Sequence, residues 1–239
     1  MTESLYHTDS YLREFDAVVT SMDKTARAIV LNRTAFYPGG GGQLCDLGTL
    51  TAGAVTWQVA KVRKGLNGIE HILSGDGQLP EAGMTVAGQL DWERRYRLMR
   101  THTAMHILCG VIFRDFRAQV TGGDMDLQQG RMDFEFESMT RDLVDGIEQS
   151  VNREVEKNLP VRVKILPREE AFKIPDLIRT KINLLPPGIP EVRTVEIVGL
   201  DLQADGGTHV ASTGEVGRMR IVDYKSKGKI NKRLYIELE

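Results

Sequence analysis

The chain has 239 residues, of which 41% are apolar and 27% are charged, with a net charge of -2, two cysteines and five histidines. This apolar fraction is enough for a buried core and excludes wholesale disorder, and two cysteines cannot build the disulfide framework of a small secreted protein. The near-neutral charge excludes a surface that is basic overall, so any contact with nucleic acid must come from local patches.

The N-terminal segment MTESLYHTDSYLREF lacks the basic start and apolar core of a signal peptide. No apolar run approaches the roughly 18 residues that a membrane-spanning helix needs. We therefore expect a cytoplasmic globular protein that has no membrane partner.

The first part of the chain predicts a small β-barrel or sandwich. Short runs of apolar and β-branched residues, such as FDAVVTSM and EHILSG, are separated by Gly-rich turns. From Asp91 the pattern changes, and the Pro-free segment 91–116 predicts a long amphipathic helix. We therefore expect an N-terminal β-barrel domain over residues 1–88 and a second domain over residues 89–239.

The second domain predicts an α+β fold, a two-layer sandwich with helices on one face of a largely antiparallel sheet. Apolar residues recur every four positions from Leu143 to Val155 and predict a second helix, with Thr140 as its N-cap. The alternating segment GRMDFEFE (130–137) predicts a half-buried strand whose acidic side chains lie in solvent. Further strands are expected in VRVKIL, VRTVEIVGL, VGRMRIVDY and RLYIELE.

Two histidines four residues apart, His102 and His106, lie in the predicted first helix. This spacing places both imidazoles on one helix face, about 6 Å apart at Cβ, so both can reach one ion. A third histidine, His209, follows Asp205 and a glycine pair, and three histidines with one aspartate suit a tetrahedral or open metal site. The alternative is that these histidines are unrelated. Iron and manganese stay open beside zinc, because a carboxylate is a harder ligand than a thiolate.

The segment RTAFYPGGGGQLCDLG (33–48) contains four consecutive glycines: Gly39, Gly40, Gly41 and Gly42. Glycines leave backbone N–H groups accessible and allow a ligand to approach closely, although a flexible hairpin loop is the alternative. Thr34 and Gln43 are the side chains in this segment that can contact a small polar substrate group.

Two basic clusters are candidates for phosphate contact. At the start of the predicted first helix the candidates are Arg94 and Arg97. The second cluster lies in the C-terminal hairpin and comprises Lys225, Lys227, Lys229, Lys232 and Arg233. The alternative for either cluster is an ordinary solvated face.

Taken together, the motif THTAMH and the later GGTHV resemble the zinc-binding editing domain of alanyl-tRNA synthetases and of their free-standing relatives, the AlaX proteins. The resemblance extends more distantly to threonyl-tRNA synthetases. FYPGGGGQ in an N-terminal β-domain resembles the medium-length AlaX form. The resemblance implies hydrolysis of the ester that joins a wrong amino acid, chiefly serine and sometimes glycine, to the 3′-terminal adenosine of alanine tRNA.

The resemblance also implies one zinc ion per chain, bound by His102, His106 and His209. The family commonly has cysteine where this chain has Asp205, so either Asp205 or water is the fourth ligand. The glycine loop of the medium form is associated with substrate choice, which implies this role for residues 39–43. Thr34, Gln43 and Thr103 are our candidates for contact with the serine hydroxyl.

No side chain stands out as a general base, and the metal either activates water or holds the substrate's amino group. Two alternative functions follow from the same residues. One is a metal-dependent hydrolase of another aminoacyl-tRNA or of a small ester. The other is a metal-stabilised tRNA-binding module without enzymatic activity.

Overall fold

A computed structural model describes residues 2–181, 185 and 188–239. The chain divides into two compact units, Met1–Tyr96 and Arg97–Glu239. The predicted α+β class, with a barrel and largely antiparallel sheets, is confirmed. Most of the Pro-rich segment at 183–187 lies outside the described residues. Within the described ranges, no helix is both long and apolar enough to cross a bilayer.

The first unit is built on a closed barrel of six antiparallel strands, in the order β2-β3-β7-β6-β5-β8. Outside the barrel, β1 pairs with β4 in parallel. The strands are β1 (Glu3–Ser4), β2 (Glu14–Asp23), β3 (Ala28–Leu31), β4 (Arg33–Thr34), β5 (Gly48–Ala52), β6 (Val55–Gly65), β7 (Gly68–Leu73) and β8 (Thr85–Leu90). A single 3-10 turn, Leu5–His7, follows β1.

Side chains that alternate along the strands fill the barrel. In β8, for example, Val86, Gly88 and Leu90 are buried while the residues between them are exposed. Gly88 is needed because a Cβ there would lie 2.5 Å from the ring of Phe15. The inward residues form one apolar core, as expected for a small barrel.

The second unit contains two antiparallel sheets and most of the helical residues. Its sheets have the strand orders β14-β15-β10-β9 and β11-β12-β13. The elements in chain order are α1 (Trp92–Phe116, which starts within the first unit), β9 (Val120–Asp126), β10 (Gln129–Glu135), α2 (Arg141–Glu156), β11 (Val161–Pro167), α3 (Arg168–Ala171), β12 (Glu191–Ile197), β13 (Asp201–Ala204), β14 (Met219–Ser226) and β15 (Asn231–Leu238). A 3-10 turn, Thr213–Val216, precedes β14.

Helix α1 has the predicted bounds, but its middle is not amphipathic. Every residue from Thr101 to Ile112 is buried. On one side Met105 meets the four-stranded sheet, where a Cβ at Gly130 would lie 3.0 Å from the Met105 sulfur. On another side Gly110 meets the start of β13. The helix is therefore covered by several elements, which a local hydrophobic period cannot reveal.

Helix α2 confirms both the predicted helix and its cap. The Thr140 side chain accepts a hydrogen bond from the Leu143 backbone N–H at 3.3 Å. The apolar face buries Val144, Ile147 and Val151, and the helix packs against β14. This face is the amphipathic stripe that the four-residue spacing indicates.

Strand β10 corrects the prediction that its acidic side chains all lie in solvent. Asp133 is buried and accepts hydrogen bonds from Arg233 Nε and Nη2 at 2.6 and 2.8 Å. The two residues lie directly opposite each other in the β10–β15 register. A cross-strand cation lets a carboxylate be buried that would otherwise be too costly to desolvate.

Candidate metal centre

Two ligand candidates come from one face of α1. His102 and His106 are buried, and their ring centroids lie 5.1 Å apart. The four-residue spacing brings them together because residues i and i+4 are neighbours on a helix surface.

The other two candidates come from the segment that follows β13. The His209 ring centroid lies 4.2 Å from that of His102 and 4.7 Å from that of His106. Asp205 places its carboxylate 3.1 Å from His209 Nε2 and 3.5 Å from His102 Nε2. One donor atom from each of the four residues lies within 4.8 Å of every other, so the predicted set is brought together in the second unit.

The glycine pair between Asp205 and His209 suggests a sharp turn that only glycine can adopt, but the backbone conformation there does not require glycine. Neither Gly206 nor Gly207 has a positive φ, and a Cβ at Gly206 would meet no atom within 4 Å. Instead, the Gly207 backbone N–H donates to Asp205 Oδ2 at 2.7 Å, which forms an Asx-type turn. Arg193 Nη1 donates to the Asp205 backbone carbonyl at 2.9 Å and holds the segment to β12.

Two of the three imidazoles, those of His209 and His102, have a second contact away from the centre. Thr103 Oγ1 lies 3.1 Å from His209 Nδ1 and also accepts the Val210 backbone N–H at 3.3 Å. The Thr208 backbone forms a hydrogen bond with the His102 ring. These contacts fix the ring orientations, and they place the fully buried Thr103 hydroxyl against His209.

Burial and mutual charge set the protonation of the site. Burial lowers the pKa of His102 to about 4 and holds the pKa of His209 well below its ordinary value. Burial alone would raise the pKa of Asp205, but the surrounding histidines outweigh it and hold that pKa well below its usual range. Burial alone would lower the pKa of His106 too, but its contacts with Asp201 and Asp205 outweigh burial and raise that pKa. Metal ligation needs the deprotonated imidazole, so an ion would displace any proton from the ligating nitrogen. The four residues therefore fit a divalent ion in distance and in the type of donor atom.

Cys109 lies one helical turn beyond His106 but is not part of this cluster. Its thiol is buried, and burial raises its pKa well above the ordinary value. A thiol that stays protonated is a poor metal ligand. The centre therefore has nitrogen and oxygen donors.

The glycine-rich loop belongs to the first unit and forms a hydrogen-bonded turn. All four glycines have positive φ, from 59° to 127°, a region that favours glycine. The Gly40 and Gln43 backbones exchange hydrogen bonds at 3.0 Å in both directions, and the Tyr37 hydroxyl donates to the Gly40 carbonyl at 2.9 Å. Gln43 is buried.

Thr34, in the same unit, is fully buried. Its Oγ1 lies 2.9 Å from His71 Nε2 and accepts the Phe36 backbone N–H at 3.1 Å. The hydroxyl that we expected to contact serine thus has two internal contacts.

The basic residues at the start of α1 differ in exposure. Arg94 and Arg97 are both partly exposed, and Arg94 Nε donates to the Cys45 carbonyl at 3.2 Å. Their neighbour Arg95 is fully buried, and its Nε lies 3.0 Å from both carboxylate oxygens of Asp46. Of these three arginines, Arg94 and Arg97 are therefore the two whose charge solvent can reach.

In the C-terminal hairpin, Lys225, Lys227 and Lys229 are exposed. Lys232 is buried, and its Nζ donates to the carbonyls of Gly228 and Lys229 at 3.0 Å each. Arg233 forms the ion pair with Asp133 described above. Two of the five basic residues thus stabilise the hairpin. The other three are exposed, and among them Lys225 Nζ forms an ion pair with Asp223 Oδ2 at 3.0 Å.

Sequence reasoning missed Asp201, whose Oδ2 lies 3.3 Å from His106 Nδ1. The available signal was a second aspartate four residues before Asp205, directly after the predicted strand VRTVEIVGL. It also missed Arg193, whose guanidinium lies 3.6 Å from Asp205 Oδ2. Both depend on strand pairing that no local motif encodes.

The comparisons with known proteins agree with the two-part organisation. Residues 6–94 match the family described as tRNA synthetases class II (A), and residues 192–235 match the threonyl and alanyl tRNA synthetase second additional domain. The chain is 40% identical over 237 residues to the alanyl-tRNA editing protein AlaX-M of Saccharolobus solfataricus, covering 98% of each chain. It is 40% identical over 244 residues to AlaX-M of Methanosarcina acetivorans, covering 100% of this chain and 99% of the relative.

A third similarity is to the alanine–tRNA ligase of Ignicoccus hospitalis, 37% identical over 227 residues. This match covers 92% of the present chain but 24% of the ligase. The full-length similarity is thus to free-standing editing proteins, and the chain belongs to the AlaX-M family of alanyl-tRNA editing proteins.

Proposed function

We propose that this chain is a trans-editing hydrolase that deacylates alanine tRNA carrying serine or glycine in a metal-dependent reaction. Membership of the editing-protein family supports an aminoacyl-tRNA hydrolase. The observation that carries the metal-dependent reaction is the cluster of three histidines and one aspartate. Residues 89–239 are proposed as the metal-binding editing domain, and residues 1–88 as a β-barrel domain that carries the Gly-rich loop. The low cysteine count supports a cytoplasmic setting.

We propose zinc as the ion, one per chain, bound by His102, His106, His209 and Asp205. Nitrogen and carboxylate donors in a four-residue set are typical of zinc. A bound zinc ion would supply Lewis acidity to an ester that is already activated. The chain's own contribution is to hold three imidazoles and a carboxylate close together in a fixed arrangement.

Selection of serine over alanine is chemically favourable for such a site. A site that hydrogen-bonds the serine hydroxyl leaves polar groups unpaired when alanine occupies it. We propose the loop Gly39–Gly42 and Gln43 for this recognition, because its ordered backbone carries donors and acceptors. Thr34 and Thr103 are weaker candidates, since their hydroxyls already have internal contacts.

We propose that the tRNA backbone contacts the exposed basic residues. The hairpin lysines 225, 227 and 229 support this most strongly because all three are exposed. Arg94 and Arg97 are proposed as further phosphate contacts. Lys232 and Arg233 would contribute mainly by holding the hairpin in shape.

A substrate panel tests this function. Alanine tRNA charged with serine, glycine or alanine is mixed with zinc-loaded protein, and loss of each amino acid is followed over time. We expect fast loss of serine, loss of glycine, and alanine release close to the buffer rate. Serine carried on threonine tRNA shows whether alanine tRNA is required.

Two variants distinguish loss of the metal centre from a general effect of replacing a histidine. His209→Ala should lose bound zinc and serine release together, whereas His7→Ala removes a histidine outside the cluster and should keep both. Serine release no faster than in buffer would contradict the proposal. Binding of tRNA without any release would favour a metal-stabilised binding module, and equal activity on free esters would favour a general esterase.

A further inference from the structure

Asp201 lies beside the metal centre without being one of the four candidate ligands. It is the first residue of β13, and its side chain is fully buried. Its Oδ2 lies 3.3 Å from His106 Nδ1, a buried nitrogen that makes no aligned hydrogen bond within the described residues. Because a buried carboxylate is costly unless it is partnered, its contacts indicate why it is there.

Two other side chains fix the orientation of this carboxylate. Gln203 Nε2 donates to Oδ2 at 2.7 Å, and Arg179 Nε donates to Oδ1 at 3.3 Å. The Arg179 guanidinium is itself placed 3.8 Å above the Phe113 ring of α1. With a donor on each oxygen, the carboxylate is held facing His106.

Gly110 of α1 allows the strand to come this close. A Cβ at Gly110 would lie 2.9 Å from the Asp201 Cβ and 3.0 Å from the Leu200 Cγ. Glycine is a poor helix former, so its place deep inside a helix calls for a packing reason. The close approach of Asp201 is such a reason.

The contact favours one tautomer of His106. The Asp201 oxygen that faces Nδ1 already accepts a hydrogen bond from Gln203, so it offers Nδ1 an acceptor rather than a donor, and a proton on Nδ1 is favoured. With the proton on Nδ1, the lone pair of Nε2 is left for an ion. In metal sites, carboxylates that contact a ligating histidine in this way fix its tautomer and orientation.

We propose that Asp201 is a positioning residue of the metal centre, held by Arg179 and Gln203, which fixes His106 in its metal-binding tautomer and thereby sets the affinity for the ion. This inference rests on the metal site of the proposed function. It adds a residue that touches neither the ion nor the substrate.

The test measures metal binding and needs no substrate. In Asp201→Asn the side chain keeps its shape, but one acceptor becomes a donor, which favours the wrong His106 tautomer. Competition with a chromophoric chelator should show zinc affinity lowered by about 10- to 100-fold. In zinc-loaded wild type, nitrogen-15 NMR should show His106 protonated at Nδ1, and the variant should lose this signature.

Two companion variants keep the test interpretable. Gly110→Ala changes no polar group but displaces Asp201, so it should weaken zinc binding in the same direction even if Asp201→Asn fails to fold. Asp133→Asn removes another buried, ion-paired carboxylate of the same unit and should leave zinc affinity unchanged.

The outcomes distinguish the two proposals. Wild-type zinc affinity and an unchanged His106 signature in folded Asp201→Asn, or wild-type affinity in Gly110→Ala, would overturn the role of Asp201 and leave the editing function intact. If the wild-type chain binds no zinc, the metal centre itself is wrong and the inference falls with it.

Discussion

In the proposed metal centre, Asp205 would supply an oxygen donor where a cysteine would introduce a thiolate. Its side chain is 14% exposed, so solvent reaches this corner of the site. A zinc-bound thiolate at an accessible position can be oxidised, which releases the metal, whereas a carboxylate is inert to mild oxidants. Cys109, the nearby thiol, is 2% exposed and is kept protonated by burial. The residue at position 205 should therefore decide how the site responds to peroxide.

We predict that the wild-type protein keeps its zinc in hydrogen peroxide, while Asp205→Cys binds zinc and then loses it. Zinc release, followed with a colorimetric chelator, measures the difference, and Asp205→Ala serves as the control for a missing fourth ligand. Equal release from wild type and Asp205→Cys would show that residue 205 is not a ligand.

At the scale of elements, backbone conformation shapes the glycine loop between β4 and β5, which we propose as the recognition segment. Gly40 has a φ of 127°, which side-chain-bearing residues rarely adopt, and its backbone bonds fix Gln43. Gly41 has a φ of 59°, close to the left-handed conformation that Gln128 adopts in this chain. A Cβ at Gly41 would meet no atom within 4 Å. The two glycines thus differ in how strictly they are required.

We predict that Gly40→Ala lowers the rate of serine release from alanine tRNA at least tenfold, because it displaces Gln43. Gly41→Ala, the matched control, should change that rate by less than threefold, since alanine tolerates its backbone conformation at a cost of about 1 kcal/mol. Deacylation rates for both variants, alongside thermal unfolding, provide the measurement. If both variants lost the same fraction of the serine-release rate, the backbone conformation at Gly40 would not explain substrate recognition.

The elements also show what the sequence could predict. The bounds of α1 and the cap of α2 follow from local patterns, namely the Pro-free apolar run and Thr140. The burial of α1 on several sides could not be predicted in this way. It depends on contacts between residues far apart in the sequence, namely Met105 with Gly130 and Gly110 with Asp201.

At the scale of the whole molecule, a net charge of -2 leaves tRNA binding to local basic surface. The sequence predicted five basic residues in the hairpin as phosphate contacts. Two of them instead stabilise the hairpin, because Lys232 donates to the Gly228 carbonyl and Arg233 donates to the Asp133 carboxylate. Such pairing is set by strand register, which charge spacing along the chain does not reveal. The helical histidine pair could be predicted from its spacing. From the residues alone, its combination with His209 and Asp205 was one of two alternatives, and the family resemblance favoured it.

We predict that replacing Lys225, Lys227 and Lys229 together with glutamine raises the KM for charged tRNA and leaves kcat nearly unchanged. Each lost phosphate contact should also reduce the slope of log affinity against log salt by about 0.7–0.9. A triple replacement of Lys24, Lys61 and Lys64, exposed in the first unit, is the charge-matched control. If the slope of log affinity against log salt were unchanged in the hairpin variant, these three lysines would not contact the tRNA phosphates.

The most direct test of the account is the rate of serine release from alanine tRNA as a function of zinc bound per chain. Protein stripped by a chelator and reloaded in steps is assayed in single turnovers, with zinc content measured on the same samples. The account predicts a rate proportional to occupancy that saturates at one zinc per chain and falls to the buffer rate in stripped protein. Metal-free protein that releases serine as fast as loaded protein would contradict it.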